Sequence, residues 1–252
     1  KMQTFHEVDG VRIPYNPEWK NVAISVSGGA DSALLAYLVC ELAYEYDTTV
    51  HIVNHVRCWK TKPWQQHDAD YVYRWLFQKF YHTNFKRHTN FIAPELEYGN
   101  VGPNLTDEYG KKVSGDNIQQ RAYAEYICNK YNIDAYYNAV TRNPRQAQFN
   151  GMRERDIEPT EDNKHLEIMQ HMGRWAIHPF RFIDKSEVVK KYLELGIMDL
   201  FNRTRSCEGT FDSIDYTSYK RGQYVPVCNN CFWCKEREWA LNLNVPTLET
   251  RP

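Results

Sequence analysis

Apolar and polar positions along the chain switch repeatedly between a period of two and a period near 3.6, and these switches mark out strands and helices in turn. Val22-Ala23-Ile24-Ser25-Val26 is a short apolar run ending at a Ser-Gly-Gly turn, which predicts a buried strand. Past Asp31 the spacing becomes helical, with Leu35, Leu38, Val39, Leu42 and Tyr46 on one face. Thr49 to Val53 predicts a second strand. Ala69, Val72, Leu76 and Phe80 predict a helix over about 66–81, and Phe85 to Ile92 a third strand. Pro94, Pro103 and three glycines make 93–114 a loop. Helix resumes from Asp116 to about Tyr131, followed by strands at Ala135–Val140 and Trp175–His178. Asp184 caps a further helix, with Glu187 three residues on completing a capping box and Gly196 stopping it.

Strands alternating with helices predict an α/β fold: a doubly wound, mainly parallel five-stranded sheet with helices on both faces. Residues 1–20 are polar, contain Pro14 and Pro17, and read as a leading segment; 21–202 form the α/β domain. Within it, the strongly polar stretch 142–172 predicts a lid or insertion over the end of the sheet, and 203–252 is a Cys- and aromatic-rich tail. In such sheets ligands sit at the carboxyl ends of the strands, and the Ser-Gly-Gly turn lies at such an end.

Composition narrows the function classes. A formal net charge of −1 over 252 residues lacks the basic excess of a dedicated nucleic-acid binder, so nucleic acid is not the expected partner. No run of about 18 apolar residues predicts a membrane span, and the first residues lack the apolar stretch of a secretory signal. The expectation is a cytoplasmic protein, whose seven cysteines serve as metal ligands and buried thiols rather than disulfides.

The string Ser27-Gly28-Gly29-Ala30-Asp31-Ser32 joins a strand to a helix, and its physics suits an anion. A helix start offers unpaired N–H groups and the positive end of the dipole. Gly28 and Gly29 let the backbone approach phosphate with no Cβ in the way. Ser27 and Ser32 add hydroxyl donors, and Asp31, which cannot face phosphate directly, suits a Mg²⁺ ion bridging the phosphates. An ordinary Gly-Gly turn with Asp31 as helix N-cap is the plain alternative. The Walker pattern is absent. On this reading Asp31→Ala abolishes turnover and leaves the fold intact.

Cys228, Cys231 and Cys234 follow one another at two-residue gaps, and Cys207 can supply a fourth thiolate. Four thiolates make a closed tetrahedral Zn²⁺ site that staples the tail to the domain. The same spacing also suits an iron–sulfur cluster, which colour would distinguish. Cys40 and Cys128 lie within helical patterns and read as core; Cys58 has no assigned role.

The Ser27–Ser32 string resembles the PP-loop of the N-type ATP pyrophosphatases, whose fold is adenine nucleotide alpha hydrolase-like. The order of Pro179-Phe180, Lys185-Ser186-Glu187, Leu195-Gly196, Thr204-Arg205-Ser206-Cys207, the three later cysteines, Arg237 and Ala240 resembles the 7-cyano-7-deazaguanine synthases (QueC/ExsB-like enzymes) of queuosine-type nucleoside biosynthesis. The resemblance covers about residues 21–243. It implies a ligase that uses ATP, Mg²⁺ and ammonia to convert a purine-like acid, 7-carboxy-7-deazaguanine, into its nitrile. It further implies a Zn²⁺ held by Cys207, Cys228, Cys231 and Cys234, and often a homodimer. Arg121 stands where that family has an arginine meeting the nucleotide, and Lys185 where it has a lysine near the phosphates; Asp31 and Ser32 complete the expected catalytic set. Asn54 and His55, after the second strand, are further nucleotide-binding candidates; followed by Arg57, they are more like the tRNA-modifying PP-loop enzymes. Two other readings stay open: a lysidine- or thiolation-type tRNA modifier, and a non-catalytic ATP-binding sensor.

Overall fold

Five short runs pair side by side as parallel strands, and the central ones are buried on both faces, as in covered parallel sheets. The computed structural model describes residues 4–8, 11–57, 62, 64–93, 96, 115–144, 168–171, 173–208 and 225–245. β3 (Asn21–Ser25) lies at the centre, between β4 (Thr49–Val56) and β6 (Ala135–Tyr137). β5 (Phe85–Phe91) flanks β4, and β8 (Arg174–Ile177) flanks β6; β7 (Ile168–His171) closes that edge antiparallel to β8. The expected five-stranded parallel sheet is therefore present, with one antiparallel strand added. The arrangement is consistent with an adenine nucleotide alpha hydrolase-like fold.

Alternation along the strands divides the core. Val22, Ile24, Val50 and Ile52 pack with apolar residues of α1 (Ala30–Glu45), α2 (Gln65–Lys79), α4 (Lys185–Glu194), α5 (Met198–Arg203) and α6 (Phe232–Asn244). Ala23 and Val53 point the other way, onto Ile127 and Cys128 of α3 (Gly115–Lys130). Helices on both faces make the sheet doubly wound. α1 departs from the single apolar stripe expected of it: twelve of its sixteen residues are buried. It runs under α2, α4 and α5 as well as on the sheet, and Ala33, Ala36 and Ala43 allow those neighbours close.

The leading segment is more ordered than its polarity implies. β1 (Thr4–Val8) and β2 (Val11–Tyr15) pair antiparallel, with Val11, Ile13 and Tyr15 buried. The Tyr137 hydroxyl donates to the Pro14 carbonyl at 2.6 Å, joining the hairpin to β6. Its sequence signal is the Asp9-Gly10 dipeptide between two short runs, of which Val11-Arg12-Ile13 alternates apolar and polar. α4 begins as expected: the Asp184 carboxylate accepts from the Ser186 and Glu187 amides, and the Glu187 side chain accepts from the Asp184 amide. Gly196, at φ +66°, ends it. The expected 93–114 loop and 142–172 lid or insertion fall mostly outside the described residues, and Cys58 wholly so. Among the described residues no helix is long and apolar enough to cross a membrane.

On β4 and β5, the rings of His51 and His88 lie nearly coplanar and edge to edge, with centroids 5.2 Å apart and His51 Nδ1 2.9 Å from His88 Nε2. Burial lowers the pKa of both, that of His51 to about 4, with the neighbouring ring adding to the effect there. The pair is a neutral filler of the core.

Candidate active site

β3 ends at Ser25, and the chain turns at Ser27-Gly28-Gly29 into α1, with Gly29 as N-cap in extended conformation. Asp31 is thus inside the first helical turn rather than its cap. The two serines brace the turn: their hydroxyl oxygens lie 3.2 Å apart, the Ser27 amide donates to Ser32 Oγ at 3.1 Å, and Ser32 Oγ donates to the Gly29 carbonyl at 3.2 Å. Gly28 has φ +87°, and a Cβ there would lie 2.8 Å from the Ala69 nitrogen and 2.9 Å from Asp68 Cβ, at the start of α2. The absence of a side chain at Gly28 therefore serves helix packing directly. Its carbonyl accepts from the Arg205 amide at 2.8 Å.

α4 docks against this turn. Tyr192 Oη donates to the Ala30 carbonyl at 2.6 Å, and the Lys185 ammonium, 3% exposed, lies 2.5 Å from both Asp31 carboxylate oxygens. The capping box sets that geometry by fixing where α4 starts, and Lys185 is its first residue. Two expected catalytic residues 154 positions apart in sequence thus form one ion pair. The pairing revises the expectation that Asp31→Ala spares the fold, because removing the carboxylate strands a buried ammonium.

A cavity of about 520 Å³ opens on one side of the turn, at the carboxyl ends of β3, β4 and β6. Ser27, Gly29, Asp31 and Ser32 form one wall, and Arg121 of α3 and His55 of β4 stand opposite. Asn54 does not line it. Adjacent strand residues face opposite sides of a sheet, and Asn54 is buried, its amide donating to the Val26 carbonyl at 2.8 Å. It holds the loop from behind. His55 accepts at Nδ1 from the Asn90 amide nitrogen at 3.1 Å, an assignment that follows because the side-chain NH₂ only donates. Burial lowers its pKa to about 4, with Arg57 adding to the effect. The neutral ring therefore carries its proton on Nε2.

Sequence reasoning did not single out Tyr136 or Asn138, which line the same cavity from the end of β6 and just beyond. The Tyr136 hydroxyl lies 2.7 Å from Ser25 Oγ, and burial pushes its pKa up. Asn117 and Gln120, one turn and one residue before Arg121 on α3, also line it. Their signal was available: strand-end and helix-face positions beside residues already suspected.

A second chamber of about 140 Å³ lies on the other side of the turn, where Ser27, Gly29 and Asp31 meet Asp68, Lys185, Arg205 and Cys207. Desolvation raises the Asp68 pKa to about 6, against the opposing charge of Arg205 and then His67. The chamber joins the loop to the thiols. Cys207, Cys228, Cys231 and Cys234 place their Sγ atoms within 4.8 Å of one another. Cys207 and Cys228 are 3.6 Å apart, and Cys228 and Cys234 3.9 Å. Backbone amides point at the sulfurs: Cys228 to Cys207 Sγ at 3.4 Å and Cys231 to Cys228 Sγ at 3.3 Å. Asn229, at φ +55°, turns the chain between them. Cys231 caps the start of α6, and a hydrogen bond from the Cys207 thiol holds its pKa below the usual thiol range. All four expected ligands are therefore brought together. Four sulfurs bound at 2.3 Å around one tetrahedral ion stand about 3.8 Å apart, so the donor set fits a metal.

No protein-family model matches the chain, and no curated protein matches it. Among solved structures it is similar to the U34-tRNA thiolase NcsA from Methanococcus maripaludis, a structure with its [4Fe-4S] cluster. Identity is 13%, the TM-score is 0.44, and the match covers 90% of this chain and 67% of that one. It is also similar to NAD+ synthetase from Burkholderia pseudomallei, at 12% identity and a TM-score of 0.39, over 89% of this chain and 79% of that one.

Proposed function

We propose that this chain is an ATP pyrophosphatase that adenylates the carboxylate of a flat, purine-like acid and passes it to ammonia, as the resemblance to the 7-cyano-7-deazaguanine synthases implies. One observation carries the reading: the strand-to-helix turn at Ser27–Ser32 forms a wall of a 520 Å³ cavity that Asp31 and Arg121 also line, and Asp31 is paired with Lys185 from the neighbouring chamber. That volume is in the range of cofactor-sized sites.

In this reading the amides at the start of α1 hold the β- and γ-phosphates. Lys185, paired with Asp31 in the structure, would turn its charge to the phosphates, and Asp31 would hold a Mg²⁺ ion, which would supply neutralisation of phosphate charge. Arg121 faces the α-phosphate, and His55 offers its Nε2 proton as a neutral donor. The acid's carboxylate oxygen attacks the α-phosphorus, the bond to the bridging oxygen breaks, and pyrophosphate leaves. The nitrogen of ammonia attacks the acyl carbon, and AMP departs to leave the amide. A second adenylation, on the amide oxygen, followed by loss of AMP and two protons, yields the nitrile. The protein's share is alignment and charge neutralisation.

Cys207, Cys228, Cys231 and Cys234 would hold a single tetrahedral Zn²⁺ that ties the tail to the loop. The test is incubation with ATP, Mg²⁺, ammonia and 7-carboxy-7-deazaguanine. Mass spectrometry is expected to find the nitrile, with pyrophosphate released; ATP binding without pyrophosphate release would favour a sensor instead. One observation favours a second reading, a tRNA thiolation enzyme: Cys207 lines the same small chamber as Asp31. A salt-sensitive tRNA shift on a gel would support it.

A further inference from the structure

Arg205 belongs to neither the phosphate turn nor the thiol set, yet it touches the surroundings of both. Its amide donates to the Gly28 carbonyl at 2.8 Å, so its backbone is part of the frame that holds the turn. Two residues on, Cys207 enters the thiol cluster. Its guanidinium reaches forward to the other arm of that cluster: Nη1 donates to the Val225 carbonyl and Nη2 to the Pro226 carbonyl at 3.1 Å, just ahead of Cys228. The same guanidinium lies over the ring of Trp64, 4.1 Å from its centroid. Trp64 is buried and opens α2, the helix against which Gly28 is packed. Arg237 of α6 fixes the strut from behind, donating to Thr204 Oγ1 at 2.9 Å and the Phe201 carbonyl at 2.8 Å.

We propose that Arg205 is a positioning residue that couples metal loading at the four thiols to ATP affinity at the phosphate turn. The proposal rests on the reading that ATP binds at Ser27–Ser32. Thiolates 3.6–3.9 Å apart repel one another unless a cation or protons intervene. A bound metal would hold the Cys207 arm and the Cys228 arm together, and so would keep the Val225 and Pro226 carbonyls on the guanidinium fork that already grips them. The clasped fork fixes Arg205 on Trp64, and its amide then holds Gly28 in the left-handed conformation the turn requires. Without metal the arms separate, the clasp opens, and the turn loses one of its restraints. Coupling of this kind is reciprocal, so nucleotide also tightens the grip on metal. The fork needs two parallel N–H donors, which lysine lacks.

The test is a cycle of binding measurements on the full chain, using the non-cleavable analogue α,β-methylene-ATP with Mg²⁺. Affinity is read by calorimetry on zinc-loaded protein and on protein stripped with a zinc-selective chelator. Zinc content and circular dichroism are followed alongside. Stripping is expected to weaken the analogue about tenfold, within the usual range of coupling between sites. Zinc-loaded Arg205→Ala is expected to bind as weakly as the stripped wild type and to lose its response to zinc. If Arg205→Ala fails to hold zinc, Arg205→Lys is measured against the same criterion. Equal affinity with and without zinc in the wild type overturns the coupling, as does a variant that keeps the full zinc response. No binding of the analogue to the zinc-loaded wild type overturns the ATP reading and the coupling together, whereas binding indifferent to zinc sinks only the coupling.

Discussion

The Ser27–Ser32 turn and the thiol cluster meet at one small chamber, the cluster through Cys207, but they are built in opposite ways. The turn is six consecutive residues whose chemistry is in the backbone. Its side chains look after the turn itself: Ser27 bonds Ser32, Asp31 pairs with Lys185, and Gly28 leaves room for α2. The cluster is four side chains from two chain segments, with Cys207 and Cys228 separated by 21 positions. A site made of backbone is damaged by adding atoms, and a site made of side chains is damaged by removing them.

The largest effect is expected where an atom is added. Gly28→Ala combines a disfavoured φ with overlap against α2, and a loss of about 4 kcal/mol in denaturant unfolding follows from strain and overpacking together. A loss under about 1 kcal/mol would break the contrast at its root. Asp31→Ala comes next. It leaves the Lys185 ammonium buried without its partner, costing about 3 kcal/mol, and pyrophosphate release falls at least about a hundredfold. Unchanged turnover would remove Asp31 from the chemistry. Cys231→Ser tests the other construction: zinc content by mass spectrometry drops below half and the melting temperature falls about 5 °C. Retention of full zinc would count against the four-thiol site.

A weaker effect is expected in acid. The pKa values of His51 and His55 are lowered to about 4 by burial, so the unfolded chain binds more protons than the folded one between there and pH 6.5. Stability from these groups is fully present above pH 6.5 and is lost as pH falls toward 4. Unfolding midpoints across that window check it, and a flat profile would mean the rings reach solvent. Smallest of all is Arg121→Ala. Stability should stay within about 0.5 kcal/mol, while the KM for ATP rises about tenfold if Arg121 meets the nucleotide.

What could be read from the sequence follows the same division. The turn, the parallel strands and the Asp184–Glu187 capping box were legible because each is written in neighbouring residues. The three close cysteines were legible for the same reason. The Lys185–Asp31 pair, the contacts of Arg205 and the buried faces of α1 were not, because packing between distant elements decides them. The β1–β2 hairpin is hidden in the sequence because Pro14 and Pro17 imply irregular chain, whereas tertiary contact from Tyr137 favours the strand. Asn54 and His55 are adjacent in sequence, and the pleat separates them.

That separation has a consequence for how β4 can change. Asn54 grips the loop from the dry side while His55 meets the cavity, and nothing but the pairing of β4 with β3 and β5 decides which does which. Deleting or inserting one residue upstream in β4 would exchange their addresses, putting an imidazole in the core and an amide over the cavity. Length in this strand is therefore held more tightly than residue identity, and natural variation at its carboxyl end should come as substitutions rather than gaps.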